Sequence, residues 1–223
     1  MDANGQWGVV VAGGRSTRFG DADKAVAELA GTPMTRWVAD RLARTVDGVV
    51  VNCRADQRDA LDAAMDGADY PVRFAVDPDD DRGPTAGIMT GLRAVEAEYA
   101  AVVACDMPFV DPTFLDYLFE RAAGRAGPAV DRGDAHDAAV PRPDDWYQPT
   151  QAVYRASAMA DACEAALDRG DAKIIAPLEA LDWVVVGPEE IESHAATDTF
   201  ENVNTRAEFE RAATRIAGGE TSD

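Results

Sequence analysis

A glycine pair followed by basic residues stands near the start of the chain, at residues 7–24, which read WGVVVAGGRSTRFGDADK. The apolar run before Gly13 and Gly14 predicts a buried strand, because β-branched residues pack well on a pleated sheet. Glycines at a strand end let backbone N–H groups approach an anion, which nearby basic side chains can then neutralise. Three basic residues follow the glycines: Arg15, Arg18 and Lys24. This stretch therefore predicts a phosphate-binding loop.

The spelling of this loop excludes two common phosphate-binding motifs. Neither Gly14 nor Gly20 is followed by the Lys-Ser or Lys-Thr pair that a P-loop requires. Gly13 and Gly14 are adjacent, whereas the dinucleotide fingerprint G-x-G-x-x-G needs a residue between its first two glycines. The glycine spacing thus argues against a nicotinamide-dependent oxidoreductase.

Polar residues stand at the ends of the next three predicted strands: Asn52, Asp77 and Asp106. In an open parallel sheet the carboxyl ends of the strands meet where ligands bind, so these side chains are expected beside the glycine loop. Asn52 and Asp77 are also ordinary turn residues. Asp106 directly follows an apolar strand and needs a partner, and Mg²⁺ is a familiar one in phosphoryl chemistry. Asn204, before the last predicted helix, is either part of an ordinary N-cap region or a second magnesium ligand.

Alternating strands and helices position these residues. We predict strands at 7–11, 49–52, 72–76, 100–104, 138–140, 152–154, 183–186 and 197–200. We predict helices at 34–46, 56–65, 83–95, 112–122, 158–167, 173–181 and 205–216. The alternation favours an α/β fold with a single Rossmann-like, doubly wound, mostly parallel sheet and helices on both faces. One domain is expected over residues 1–217, followed by a disordered tail at 218–223.

The charge balance restricts the partners of the protein. The 223 residues include 21 Lys and Arg against 41 Asp and Glu, a formal net charge of −20. Such a surface repels nucleic acid and anionic membranes, so neither is expected as a partner. Acidic residues occur along the whole chain and only Lys24 and Lys173 are lysines, a pattern typical of a salt-adapted cytoplasmic protein.

Two further sequence features point to the cytoplasm. No apolar run reaches the roughly 18 residues that a membrane-spanning helix needs, and the start of the chain lacks the features of a secretory signal. The three cysteines, Cys53, Cys105 and Cys163, fit neither a disulfide framework nor a C-x-x-C metal site. Free thiols in a reducing compartment are therefore expected.

The loop spelling A-G-G-R-S-x-R-F-G-x-x-D-K resembles the signature of nucleotidyltransferases that transfer NMP from an NTP to a phosphate. Within them the chain most resembles the molybdenum cofactor guanylyltransferase family. Motifs similar to those of the family follow in the same order from about residue 8 to residue 209: Asn52, GPTAG at 83–87, ACDMP at 104–108 and NVNT at 202–205. The resemblance implies a nucleotidyltransferase-type fold and a cytoplasmic enzyme that uses Mg²⁺, GTP and the molybdopterin cofactor, with transient contacts to other molybdenum-cofactor proteins.

The resemblance also assigns roles to residues. GTP would be held by Val11, Ala12, Gly13, Gly14, Arg15, Lys24, Asn52, Asp77, Gly83 and Asp106. Asp106 and Asn204 would hold Mg²⁺, and the residues 83–87 would border the base. Gly14 favours the guanylyl branch, since cytidylyl relatives more often carry alanine there.

The expected reaction is attack of the molybdopterin phosphate on the α-phosphorus of GTP, which expels pyrophosphate and forms the guanine dinucleotide form of the cofactor. Arg18, Lys24 and Asp106 would be the catalytic residues, because they neutralise or bind the charge that develops on the phosphates. The acceptor phosphate is already ionised, so no general base is expected.

Departures from the family pattern leave alternatives open. Phe19 replaces the usual methionine, and Gln148-Pro149-Thr150 stands where the family often has His-Pro. The acceptor side therefore has only candidates: Arg142, Gln148, Thr150 and Lys173. Cobinamide-phosphate guanylyltransferase, molybdopterin cytidylyltransferase and a non-catalytic GTP-binding protein are the alternative functions.

Overall fold

The structure is a computed structural model that describes residues 5–14, 23–79, 82–128 and 133–219. Within these ranges the strands are β1 (Trp7–Val11), β2 (Glu28–Leu29), β3 (Thr32–Pro33), β4 (Gly48–Cys53), β5 (Val72–Val76), β6 (Tyr99–Ala104), β7 (Ala138–Pro141), β8 (Gln151–Arg155) and β9 (Trp183–Val186). The α-helices are α1 (Met34–Leu42), α2 (Arg58–Ala64), α3 (Pro84–Arg93), α4 (Pro112–Ala122), α5 (Ala156–Asp168), α6 (Pro188–His194) and α7 (Arg206–Ala217). Short 3-10 helices occur at Lys24–Val26, Ala55–Gln57 and Ala176–Ala180.

The main sheet of the described chain has seven strands in the order β5-β4-β1-β6-β8-β7-β9. Strands β5, β4, β1 and β6 run parallel, while β8 is antiparallel to both of its neighbours. The chain leaves β1 toward β4 on one side and later returns to β6 on the other. The boundary between β1 and β6 is therefore the switch point of the sheet, where open α/β folds bind ligands.

Helices cover both faces because the central valine-rich strands are apolar on each side. One face packs against α1, α2 and α4 through residues such as Leu42, Leu61 and Leu118. The other face packs against α3 and α5 through residues such as Ile88 and Met159. The predicted doubly wound α/β fold is confirmed.

Helix α7 packs outside these two layers, against the small hairpin of β2 and β3. Its Ala212 joins Leu29 and Met34 in a third apolar cluster that also contains Val203. The segment before α7 therefore lies beside the end of β6. There the N–H of Val203 donates a hydrogen bond to the carbonyl of Asp106 at 2.8 Å.

The prediction of a strand at 197–200 is wrong, since these residues form turns. Thr199 is fully buried there, and its hydroxyl accepts hydrogen bonds from the N–H of Asp111 and the side chain of Gln151. Side-chain hydrogen bonding to neighbouring elements thus replaces the strand ladder. Among the described residues, no helix has the length and apolar character to cross a membrane.

Candidate nucleotide-binding site

A cleft of about 520 Å³ opens at the carboxyl ends of β1, β4, β5 and β6, across the switch point. It is lined by every described residue that the sequence assigns to the nucleotide or the metal: Val11, Ala12, Gly13, Gly14, Lys24, Asn52, Asp77, Gly83, Asp106 and Asn204. The structure thus brings these residues together, whereas their roles in binding stay predictions. Arg15 and Arg18 lie outside the described residues.

Lys24 is a buried cation that lines the cleft. It opens the 3-10 helix Lys24–Val26, which the side chain of Asp23 caps by accepting the N–H of Ala25 at 3.0 Å. The Lys24 ammonium is buried and lies 2.8 Å from Asp106 Oδ2 and 2.9 Å from Asn204 Oδ1. Two distant strand and helix ends therefore meet on a single ammonium group.

The oxygen atoms that accept hydrogen bonds from Lys24 belong to residues just after β6 and just before α7. Asp106 lies in the turn two residues after the end of β6, and its Oδ1 is buried without a hydrogen-bond partner in the described structure. The N–H groups of Asn204 and Thr205 both donate to one carboxylate oxygen of Glu208 at 2.8 Å. These backbone hydrogen bonds lower the pKa of Glu208, so the carboxylate that fixes Asn204 is ionised at neutral pH.

Asn52, near the carboxyl end of β4, also lines the cleft. Its side chain is fully buried and donates to the carbonyl of Ala75 at 3.2 Å and to Asp77 Oδ1 at 2.8 Å. Among the described residues, its own Oδ1 is buried without a hydrogen-bond partner. A Cβ at Gly87 would come within 2.5 Å of this oxygen, and one at Gly13 within 2.7 Å of Asp77 Oδ2. Glycine is therefore needed at both positions to keep this recess open.

Covalent catalysis by Cys105, which also lines the cleft, is disfavoured. Burial, together with the neighbouring Asp106 carboxylate, raises the pKa of the Cys105 thiol to about 12. A thiol must be deprotonated to act as a nucleophile. The Cys105 thiol is therefore protonated at neutral pH and is not a nucleophile.

The comparison with protein families decides the class of this site. The profile of the MobA-like NTP transferase domain matches residues 8–198. The chain belongs to this family. It is a nucleotidyltransferase.

Two curated relatives from archaea have the same name, probable molybdenum cofactor guanylyltransferase. The protein of Natronomonas pharaonis is 53% identical over 94% of this chain and 98% of its own length. The protein of Haloferax mediterranei is 39% identical over 90% of each chain. Both organisms are halophiles, which agrees with the salt-adapted composition predicted from the acidic residues.

A solved structure supports the same family. The molybdopterin-guanine dinucleotide biosynthesis protein A of Archaeoglobus fulgidus has a TM-score of 0.74 and 27% identity, covering 96% of this chain and 99% of that one. The nucleotidyl transferase of Methanothermobacter thermautotrophicus, with a TM-score of 0.71 and 18% identity, is similar in fold.

Sequence reasoning missed several residues of this nucleotidyltransferase cleft. Asp79 and Arg82 line it, with Arg82 Nη1 3.6 Å from Asp79 Oδ2, although the sequence assigns neither residue to the site. The signal was their position between Asp77 and Gly83, which are both predicted site residues. Of the four acceptor candidates, Thr150 lines the cleft, and its carbonyl accepts the N–H of Ala104 at 2.9 Å. The other candidates, Arg142, Gln148 and Lys173, are not among the lining residues.

Proposed function

We propose that this nucleotidyltransferase transfers GMP from GTP to the terminal phosphate of molybdopterin and releases pyrophosphate. The observation that carries the proposal is the meeting of Lys24, Asp106 and Asn204 in a cleft at the switch point of the sheet. The names of its relatives, which are molybdenum cofactor guanylyltransferases, supply the nucleotide and the acceptor.

The reaction needs little proton transfer. An oxygen of the acceptor phosphate forms a bond to the α-phosphorus of GTP, and the bond from that phosphorus to the oxygen bridging to the β-phosphate breaks. Pyrophosphate leaves with the electron pair. Because a phosphate monoester is largely ionised at neutral pH, the attacking oxygen needs no general base. A cleft without a titrating histidine or thiolate is sufficient for this chemistry.

Lys24 supplies a fixed positive charge for the phosphates. The ammonium is already desolvated and held by two oxygens, so little reorganisation is required when the α-phosphate and leaving group approach. Helix α3 begins at the same cleft, where the positive end of its dipole favours bound anions. These local charges offset the strongly acidic surface of the chain.

Asn52 and Asp77 suit the nucleoside end of GTP. The unpaired Asn52 Oδ1 and the carboxylate of Asp77 are acceptors, whereas guanine carries N–H donors on its pairing edge and ribose carries hydroxyl donors. The buried acceptor of Asn52 would gain its missing hydrogen bond when the nucleoside binds.

The residues also fit a magnesium ion, which we propose as the cofactor. The described residues hold no cluster of three or more His, Cys, Asp or Glu able to bind a metal. Mg²⁺ is commonly held by one or two carboxylates together with substrate phosphates, and Asp106 Oδ1 is a buried oxygen without a hydrogen-bond partner among the described residues, while Asp106 Oδ2 and Asn204 Oδ1 both contact the Lys24 ammonium. Bound there by Asp106 and Asn204, Mg²⁺ would neutralise phosphate charge.

Two finer expectations belong to this proposal. We expect the enzyme to work in the cytoplasm, because its three cysteines are free. We also expect transient contacts with other proteins of molybdenum-cofactor synthesis, which would deliver the acceptor to this enzyme.

The proposal is tested by measuring pyrophosphate release in molar KCl with Mg²⁺, GTP and molybdopterin. Release that needs both substrates is the expected result, with omission of molybdopterin as the control. Release that occurs only when CTP replaces GTP, or only when cobinamide phosphate replaces molybdopterin, would contradict the stated substrates. GTP binding without any release would contradict transfer itself.

A further inference from the structure

Arg54, two residues after Asn52, has a buried side chain that lies under the glycine loop. Its Nη1 donates to the carbonyls of Gly13 at 2.9 Å and Gly14 at 3.1 Å. Its Nε donates to Asp56 at 3.0 Å. The guanidinium therefore donates its hydrogen bonds to backbone carbonyls and a carboxylate, and Arg54 is not among the described residues that line the cleft.

Gln57 completes the same arrangement from the 3-10 helix Ala55–Gln57. Its Oε1 accepts the N–H of Arg54 at 3.0 Å, and its Nε2 donates to the carbonyl of Ala12 at 3.1 Å. Gln57 is only 3% exposed. Arg54 and Gln57 together thus bind three consecutive carbonyls, those of residues 12–14.

The same pair also reaches the far end of the loop. Gln57 Nε2 donates to Asp23 Oδ2 at 2.6 Å, and Arg54 Nη2 lies 3.8 Å from that oxygen. Asp23 caps the 3-10 helix that carries Lys24. Both chain segments that flank residues 15–22 are therefore attached to Arg54 and Gln57.

This attachment sets the direction of the amide groups that line the cleft. In a trans peptide the N–H points opposite to the preceding C=O. Since the carbonyls of Ala12 and Gly13 face Gln57 and Arg54, the N–H groups of Gly13 and Gly14 point away from these two side chains, and both glycines line the cleft. Such preorganised N–H groups are what a phosphate-binding loop provides.

We propose that Arg54 and Gln57 are positioning residues, which hold the glycine loop and Lys24 in the geometry that binds the triphosphate. The proposal rests on the proposed function for the identity of that ligand. Neither residue is among the described residues that line the cleft; both act through the backbone of residues 12–14 and through Asp23.

The test compares Arg54→Ala, Arg54→Lys and Gln57→Glu with the wild type in molar KCl. Gln57→Glu keeps the shape of the side chain but removes the Nε2 donor and places a carboxylate against Asp23. Arg58→Ala is the matched control, because Arg58 is a neighbouring, part-exposed arginine that pairs with Asp62 and stacks on Phe74. Thermal denaturation identifies variants that fail to fold.

Two readouts separate positioning from a general loss of stability. Hydrogen–deuterium exchange of peptides covering residues 12–24 in the ligand-free protein should rise in Arg54→Ala and Gln57→Glu, while the rest of the sheet is unchanged. The KM for GTP should rise by at least ~10-fold, since misplaced phosphate-binding groups weaken binding and transfer. Arg54→Lys, which keeps one donor group, should recover part of the loss.

The outcomes distinguish this proposal from the proposed function. Unchanged exchange at 12–24 in both folded variants would overturn the positioning role, whichever nucleotide the enzyme uses. Raised exchange with no GTP turnover in the wild type would support the positioning role and contradict the proposed function. Raised exchange with an unchanged KM for GTP would also overturn the positioning role.

Discussion

At the scale of single residues, the chain places one of its two lysines at the cleft and pairs it there with a carboxylate. Lys24 is 6% exposed, and its ammonium contacts one carboxylate and one amide oxygen. Burying an ammonium is unfavourable unless it is paired and hydrogen-bonded. The burial of the Lys24 ammonium at the carboxyl-end edge of the sheet therefore indicates that its charge is needed for function.

Replacing Lys24 with alanine should lower turnover by at least ~10², because one preorganised charge on the phosphates is lost. Steady-state pyrophosphate release measures this change. Arg169→Ala, at an exposed position after α5, is the control for loss of a positive charge. Near-normal turnover in Lys24→Ala would show that the ammonium does not act on the substrate.

Replacing Asp106 with asparagine should shift the Mg²⁺ titration of activity to higher concentration, since an amide binds the ion more weakly than a carboxylate. The near-isosteric side chain still offers an oxygen to Lys24, and thermal denaturation checks that the variant folds. A titration curve that coincides with the wild type would remove Asp106 from the metal site.

The sequence could predict which residues line the cleft but not how they pair. Strand ends at Gly13, Asn52, Asp77 and Asp106 follow from apolar runs and parallel topology. The Lys24–Asp106 and Lys24–Asn204 contacts join residues 82 and 180 positions apart, so only the packed chain brings them together. Arg82 was not predicted, because the sequence of an acidic run does not indicate the direction in which the side chain of its last residue points.

At the scale of elements, the N-terminus of α7 links helix stability to the site. Thr205 caps the helix by accepting the N–H of Glu208 at 3.3 Å, and Glu208 in return binds the N–H groups of Asn204 and Thr205. This capping box holds Asn204 in the position from which it reaches Lys24.

Replacing Thr205 with alanine should lower the free energy of unfolding by about 1 kcal/mol, which is typical for loss of an N-cap side chain. Chemical denaturation in molar KCl measures the change. Thr214→Ala is the matched control, because its hydroxyl bonds only within α7, to the carbonyl of Glu210. An equal loss in both variants would argue against a special role of the cap.

Secondary structure was predictable where the chain alternates clearly between apolar and capping residues. The bounds of β5, α4 and β9 agree with the prediction at 72–76, 112–122 and 183–186. Helix α6 was missed because seven residues rich in glutamate carry little apolar periodicity. The antiparallel direction of β8 was not predicted, because the direction of a strand in a sheet depends on the strand with which it pairs in the folded chain.

At the scale of the whole molecule, the net charge of −20 opposes the compact state at low salt. The unfolding temperature should therefore rise as KCl increases from low to molar concentration, because salt screens repulsion among carboxylates. Thermal denaturation across a KCl series measures this, with sucrose at matched osmolality as the uncharged control. An unfolding temperature that stays constant or falls with KCl would contradict the interpretation of salt adaptation.

The central claim is that the cleft selects GTP, and calorimetry of nucleotide binding in molar KCl with Mg²⁺ tests it most directly. We predict that GTP binds in preference to CTP, ATP and NADH, and that this binding is lost in Lys24→Ala. The absence of nucleotide binding, or a preference for CTP over GTP, would contradict the account.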